Sequence, residues 1–221
     1  MALYNLLRNI RHNHIKKYGS RKNKKQHSNL VKVSKFSKKY GVDFDSILTP
    51  TELGFAKEDG YSYEPSYDMH NVISFLNIDS KDTIIDLGCG KGWAMYQFSS
   101  LPFARIDGVD LSKTLIDIAE SNIKKLFNND PRFHFYHCDV RDFDRLDEYN
   151  YVYMFNPFPG RVFVTVLDNL IESLQRKPRK FTIIYQNPQF AKVIEEKELF
   201  KCVLSADNTN IYINSDKLPD C

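Results

Sequence analysis

The sequence predicts an α/β fold: a mainly parallel sheet with helices on both faces and an antiparallel hairpin at its C-terminal end. Three observations predict it. From residue 83 onward, short apolar runs alternate with runs of helical period, the pattern of βαβ units. The first two of these strand-like runs end at glycines and at an acid. The last two runs are parted only by a short polar stretch around Asp207-Asn208, too little for a crossover helix, so they should pair as a hairpin.

The elements follow in order. Ser66 precedes the periodic set Met69, Val72, Ile73 and Leu76, which predicts a helix capped by Ser66. Residues 83–87 form a first strand, 91–99 a helix and 104–109 a second strand. Ser112 caps an amphipathic helix that gathers Leu115, Ile116, Ala119, Ile123, Leu126 and Phe127 on one side. Strands follow over 133–138 and 151–155, then a helix over 162–174 and a fifth strand over 181–185. A helix over 189–199 leads into the hairpin strands 201–205 and 210–213. Right-handed crossovers are expected throughout. Near the start, Leu3, Leu6, Leu7 and Ile10 recur at helical spacing beside Arg8 and Arg11, a short amphipathic helix for a membrane surface, a partner or the protein's own body.

Charge divides the chain. Of 31 Lys and Arg, twelve fall within residues 1–40, which hold no Asp or Glu. The other 19 face all 28 acidic residues, so a basic arm precedes an acidic body. The arm is either a solvated leader or a contact for an anionic partner such as RNA or a membrane surface. Four scattered cysteines, none in a CxxC pair, point to neither a zinc site nor a disulfide framework. No apolar run reaches the length of a membrane span, and no secretory signal is legible. A cytoplasmic location, with possible contact at the membrane periphery, is the expectation.

The chemistry concentrates at Asp86-Leu87-Gly88-Cys89-Gly90-Lys91-Gly92, between a strand and a helix. Glycines there allow a sharp turn and close approach of a ligand to the backbone. Asp110 ends the second strand and Asp139 follows the third. A carboxylate at Asp110 can accept both hydroxyls of a ribose, and one at Asp139 the exocyclic amine of adenine. All three acids fall on the carboxyl edge of one sheet, where open α/β sheets bind ligands. The glycine spacing is not the one that seats a pyrophosphate, and Trp93 stands where that pattern needs a small residue. This disfavours a nicotinamide oxidoreductase. Asp86 beside the loop would repel a phosphate and attract an ammonium group. A ligand with a cationic amino-acid end and an adenosine end, S-adenosylmethionine, satisfies both requirements.

These motifs, with Val109-Asp110-Leu111-Ser112, Cys138-Asp139-Val140 and Asn156-Pro157-Phe158, resemble the class I S-adenosylmethionine-dependent methyltransferases over about residues 60–215. The resemblance implies a Rossmann-like, seven-stranded sheet with a reversed final strand. It implies that Asp86, Gly88, Cys89, Gly90 and Gly92 hold the methionine part, Asp110 the ribose and Asp139 the adenine amine, with Leu111 and Val140 sandwiching the base. It divides the chain into a partly helical basic extension, 1–59, and a methyltransferase domain, 60–221. Tyr40-Gly41-Val42-Asp43, Gly60-Tyr61-Ser62-Tyr63-Glu64-Pro65-Ser66 and Pro102-Phe103 add a narrower resemblance to a bacterial group of uncharacterised methyltransferases.

Asn156 follows the fourth strand and would lie beside the sulfonium methyl, contributing to both cofactor and acceptor binding. Its carboxamide can accept hydrogen bonds from an acceptor N–H and aim the lone pair. The motif is similar to the Asn-Pro-Pro-aromatic signature of amino-group methyltransferases but departs from it at Phe158, which argues against a nucleobase amine. In this fold class the region of Tyr61, Tyr63 and Glu64 covers the cofactor, so these residues form a lid or an ordinary aromatic cluster. Tyr63 and Glu64 join Asn156 as candidate catalytic residues, Glu64 as the group that holds the acceptor or takes its proton. The expected activity is methyl transfer to a nitrogen or oxygen, with a protein lysine or a small molecule favoured. The alternative is an inactive binding module whose basic arm tethers an anionic partner.

Overall fold

The computed structural model describes residues 26–56 and 62–214. Its centre is a seven-stranded sheet in the order β3-β2-β1-β4-β5-β7-β6. The strands are β1 (Thr83–Leu87), β2 (Arg105–Asp110), β3 (Phe133–His137), β4 (Tyr151–Met154), β5 (Thr182–Gln186), β6 (Phe200–Ala206) and β7 (Thr209–Asn214). β1 to β5 pair in parallel, and β7 runs antiparallel to both β5 and β6. Asp207 and Asn208 turn the hairpin at φ +51° and +64°, the left-handed pair that matches the twist of the flanking strands. The sheet order reverses at β1, between β2 and β4, which opens a crevice at the carboxyl ends of these strands.

The helices are α1 (26–40), α2 (His70–Ile73), α3 (Trp93–Phe98), α4 (Lys113–Phe127), α5 (Gly160–Arg176) and α6 (Ala191–Glu195). Ser112 caps α4 as its sequence position predicts, its Oγ accepting from Leu115 N–H at 3.3 Å. Leu115, Ile116, Ala119 and Ile123 turn inward with Asn122. One face of the sheet packs Ile85, Leu87 and Val152 beneath Phe163, Leu167 and Leu170 of α5. The other packs Ile84, Ile106 and Tyr153 beneath Met95, Phe98 and Ile116. Burial on both faces accounts for the near-continuous apolar runs in β1 and β4.

Two expected helices are shorter in the structure. The helix capped by Ser66 is reduced to α2, with Met69 at its N-cap and no side-chain cap. The backbone N–H groups of Tyr67 and Met69 donate instead to Gln186 Oε1 (2.8 Å) and Gln97 Oε1 (2.9 Å). Tertiary partners thus hold this stretch extended. Ser66 acts through its carbonyl, which accepts from Asn29 Nδ2 (3.0 Å) and Trp93 Nε1 (3.1 Å). The helix expected over 189–199 is only α6, flanked by Asn187 and Glu198 at φ +53°.

Of the segment 1–59, the described residues 26–56 pack on the body. Val33, Val42 and Phe44 are buried against Phe36, Trp93, Tyr96 and Leu126, each full burial contributing about 1.5–3 kcal/mol. Lys91 is 0% exposed. Its Nζ donates to Asp43 Oδ2 at 2.7 Å and Ser46 O at 2.8 Å. Asn122 of α4 closes the joint, accepting from Asp43 N–H (2.8 Å) and donating to Asp43 O (2.9 Å) and Lys91 O (3.1 Å). The amphipathic stretch expected at Leu3–Ile10, Tyr61 and the basic residues from Arg8 to Lys25 lie outside the described residues. No described helix is long and apolar enough to cross a membrane.

Candidate functional site

The carboxyl ends of β1, β2, β4 and β5 open into a cavity of about 1120 Å³. Asp86, Gly88, Cys89, Gly90, Asp110, Leu111, Asp139, Val140, Asn156, Tyr63 and Glu64 all line it. Gly92 does not. It sits at φ +82° as the N-cap of α3, with the space for a Cβ bounded by Ala119 at 3.4 Å.

The loop after β1 folds onto β2 through Gly88 N–H and Cys89 N–H, both donating to Val109 O at 2.8 and 3.0 Å. Gly88 and Gly90 are needed for more than their positive φ. A Cβ on Gly88 would lie 2.4 Å from Pro157 Cβ, and one on Gly90 2.4 Å from Tyr63 Cδ2. The glycine loop is therefore clasped between the turn after β4 and the segment around residue 63.

Three carboxylates meet here in different states. Asp86 is 3% exposed and has no hydrogen-bond partner among the described residues. Burial, and then the charge of Asp110, push its pKa well above the ordinary value. Asp110 accepts from Gly90 N–H at 2.9 Å through Oδ2 and from Ser112 N–H at 2.8 Å through Oδ1. Burial raises its pKa against those two bonds. Asp139 accepts from Arg141 N–H at 2.9 Å and from the Arg141 guanidinium at 2.5–3.1 Å. The guanidinium holds its carboxyl below the usual range. Arg141, which sequence position marks as a plain surface residue, is the partner that Asp139 already has. Leu111 is 42% exposed and Val140 is buried, two apolar surfaces on the cavity wall between these acids.

The acceptor side departs from expectation at three residues. Tyr63 turns its hydroxyl away from the cavity to donate to Phe44 O at 2.8 Å. Its ring lies against Gly90, with Lys91 Nζ 5.2 Å from the centroid. Burial pushes the phenol pKa well up. Its ring thus shapes the glycine loop while its hydroxyl is bonded to Phe44. Glu64 lines the cavity and accepts from Gln26 Nε2 of α1, a tie invisible in the sequence. Asn156 is 6% exposed and stands at φ +45° directly before Pro157, where extended backbone is the comfortable choice. Its Oδ1, expected to receive an acceptor N–H, accepts from the Tyr185 hydroxyl at 2.9 Å.

A crevice at the reversal point of a parallel sheet, edged here by carboxylates and a glycine loop, is where open α/β sheets bind their ligands. Residues 84–177 match the family model described as a methyltransferase domain. The chain is 38% identical over 72 residues to malonyl-[acyl-carrier protein] O-methyltransferase of Halalkalibacterium halodurans, covering 29% of this chain and 27% of that protein. It is 39% identical over 66 residues to an uncharacterised protein of Methanocaldococcus jannaschii, covering 28% of this chain and 18% of that one. The matches thus span about a quarter or less of these curated relatives. Among solved structures, an RNA methyltransferase from Salinibacter ruber in complex with S-adenosyl-L-homocysteine is similar at a TM-score of 0.50 and 14% identity, covering 68% of this chain and 92% of that one. Over residues 84–177, somewhat under half of the chain, the sequence is similar to a methyltransferase domain, and the fold is that of the S-adenosyl-L-homocysteine-bound methyltransferase from Salinibacter ruber.

Proposed function

We propose that the cavity binds S-adenosylmethionine and that the protein transfers its methyl group to a nitrogen or oxygen of a small molecule or protein side chain. The observation that carries this reading is Asp86. A carboxylate 3% exposed, without a partner among the described residues and lining the cavity, is costly unless a cation meets it. The ammonium of the cofactor's methionine end is such a cation.

The other residues divide the remaining work. Gly88, Cys89 and Gly90 bring backbone close to the methionine part, and Gly92 turns the chain into α3. The lone pairs that Asp110 does not use on Gly90 and Ser112 serve the ribose hydroxyls. Leu111 and Val140 flank the adenine, and Asp139, oriented by Arg141, accepts from its amine. When bound, the cofactor supplies a methyl group on a positively charged sulfur. Asn156 and Glu64 face the acceptor, while Tyr63 holds the loop that faces the methionine. We assign the transferase domain to 60–221, with 26–56 fastened over its glycine loop through Lys91 and Asn122. A contact of residues 1–40 with an anionic partner is supported only by charge, with Lys32, Lys35, Lys38 and Lys39 on the exposed side of α1.

Isothermal titration with S-adenosylhomocysteine tests the reading. One site per chain is expected, and Asp110→Ala should weaken binding by about 1–3 kcal/mol through loss of a charged acceptor. Unchanged affinity in that variant would remove the ribose role.

A further inference from the structure

We propose that Asp43 and Lys91 are positioning residues for cofactor binding: their ion pair links the docking of residues 26–56 to the shape of the glycine loop. This rests on the reading of the cavity as the S-adenosylmethionine site. Gly88, Gly90 and Gly92 stand at φ +81°, +54° and +82°. Glycine enters that region at no steric cost and leaves it as easily, so the loop is not stiff by composition. Bonds to neighbouring elements have to impose its shape. On one side β2 does so, through Val109 O and Asp110 Oδ2.

On the other side the shape is imposed through Lys91. Its ammonium has three N–H donors, and their acceptors all lie within residues 43–46. They are Asp43 Oδ2 at 2.7 Å, Ser46 O at 2.8 Å and Ser46 Oγ. Ser46 Oγ donates in turn to Asp43 Oδ1 at 2.7 Å. Burial acts to raise the Asp43 pKa, but the bonds from Lys91 and Ser46 outweigh it and hold the carboxyl below its ordinary value. The Lys91 side chain is 0% exposed and that of Asp43 44%. The wholly buried member of the pair is therefore the one on the glycine loop, and groups of the docked segment meet its charge. A buried cation stripped of its partner is strongly unfavourable. Release of residues 43–46 would send Lys91 toward water and free the backbone between Gly90 and Gly92.

The same segment touches the loop a second time and then reaches the cavity. Leu48 O accepts from Tyr63 N–H at 2.8 Å, and Phe44 O from the Tyr63 hydroxyl at 2.8 Å. These bonds seat the Tyr63 ring on Gly90, where a Cβ would collide with it. Leu53 and Phe55 line the cavity itself. A ligand that needs the loop in this shape and meets these walls binds the docked form in preference. Binding must then favour docking to the same degree that docking favours binding.

Titration calorimetry of the full chain with S-adenosylhomocysteine, well below the melting temperature, tests the link. Asp43→Asn keeps the shape of the side chain and removes the charge opposite Lys91. Affinity should fall about 5-fold or more, the lower end of ordinary coupling between sites. Leu174→Ala, in the core near the C-terminal end of α5, serves as a control that lowers stability at least as much. It should leave affinity within about 2-fold. Trp93, the chain's one tryptophan, lies 5.5 Å from Phe36 and 5.2 Å from Phe44 between ring centroids and reports docking by its fluorescence. Iodide should quench it more in Asp43→Asn than in the parent, and S-adenosylhomocysteine should protect it more in that variant than in the parent. Unchanged affinity in Asp43→Asn, an equal loss in Leu174→Ala, or no added protection by ligand overturns the inference and leaves the cavity reading standing. A parent chain that binds no S-adenosylhomocysteine overturns that reading as well.

Discussion

Replacing Asp86 by Asn should make the empty protein more stable and the cofactor bind more weakly. Asp86, next to last in β1, is 3% exposed with no hydrogen-bond partner among the described residues. Its pKa is raised by burial and by Asp110. A folded-state value above the ordinary aspartate value of about 3.9 means that the folded empty protein holds the proton more tightly than the unfolded chain. That contribution to stability is fully present below about pH 3.9 and is lost as pH rises through the folded value. Asn carries no charge to desolvate, so the variant should gain most at neutral to alkaline pH and least near pH 4. A gain of about 1 kcal/mol or more, the lower end for an uncompensated buried polar group, corresponds to about 2–4 °C in melting temperature for a chain of this size. In the other direction, loss of one charge-assisted hydrogen bond costs about 1.5–3 kcal/mol, or about 10- to 150-fold in affinity for S-adenosylhomocysteine. Thermal melts from pH 4 to 8 with and without ligand, alongside titration calorimetry, measure both effects. A variant less stable than the parent at pH 8, or one with unaltered affinity, would refute the assignment of Asp86 to a ligand cation.

Two further substitutions test the scaffold. Tyr63→Phe removes only the bond to Phe44 O and should cost about 0.5–1.5 kcal/mol of stability with turnover unchanged. A turnover loss beyond tenfold in a stable variant would place the hydroxyl in the chemistry. Lys91→Met strands a half-exposed Asp43 rather than a buried one, so the cost should be about 1–2 kcal/mol, below that of breaking a fully buried pair. Urea denaturation measures it, and an unaltered midpoint would show that the joint between Asp43 and the glycine loop contributes nothing.

The sequence was informative where local period and turn chemistry decide structure. The five parallel strands, the Ser112 cap and the Asp207-Asn208 hairpin follow from apolar spacing and from residues suited to left-handed backbone. The position of Asp86, Asp110 and Asp139 on one sheet edge follows from the same alternation. Gln186 and Gln97 decide the fate of the expected helix after Ser66 by capturing its N–H groups, and they lie 119 and 28 residues away. No window of local pattern contains both members of such a pair.

Partnership across the fold set the rest. That Lys91 is wholly buried depends on Asp43 and Ser46. That Arg141 holds Asp139 depends on the turn after β3. That Asn156 Oδ1 is already bonded depends on Tyr185. From the chain alone come the order of elements, the glycine loop and the kinds of polar groups available. Only tertiary packing chose which of those groups are already bonded and which still face the cavity, because a hydrogen bond is spent on whichever partner lies within about 3 Å, and sequence distance says little about that.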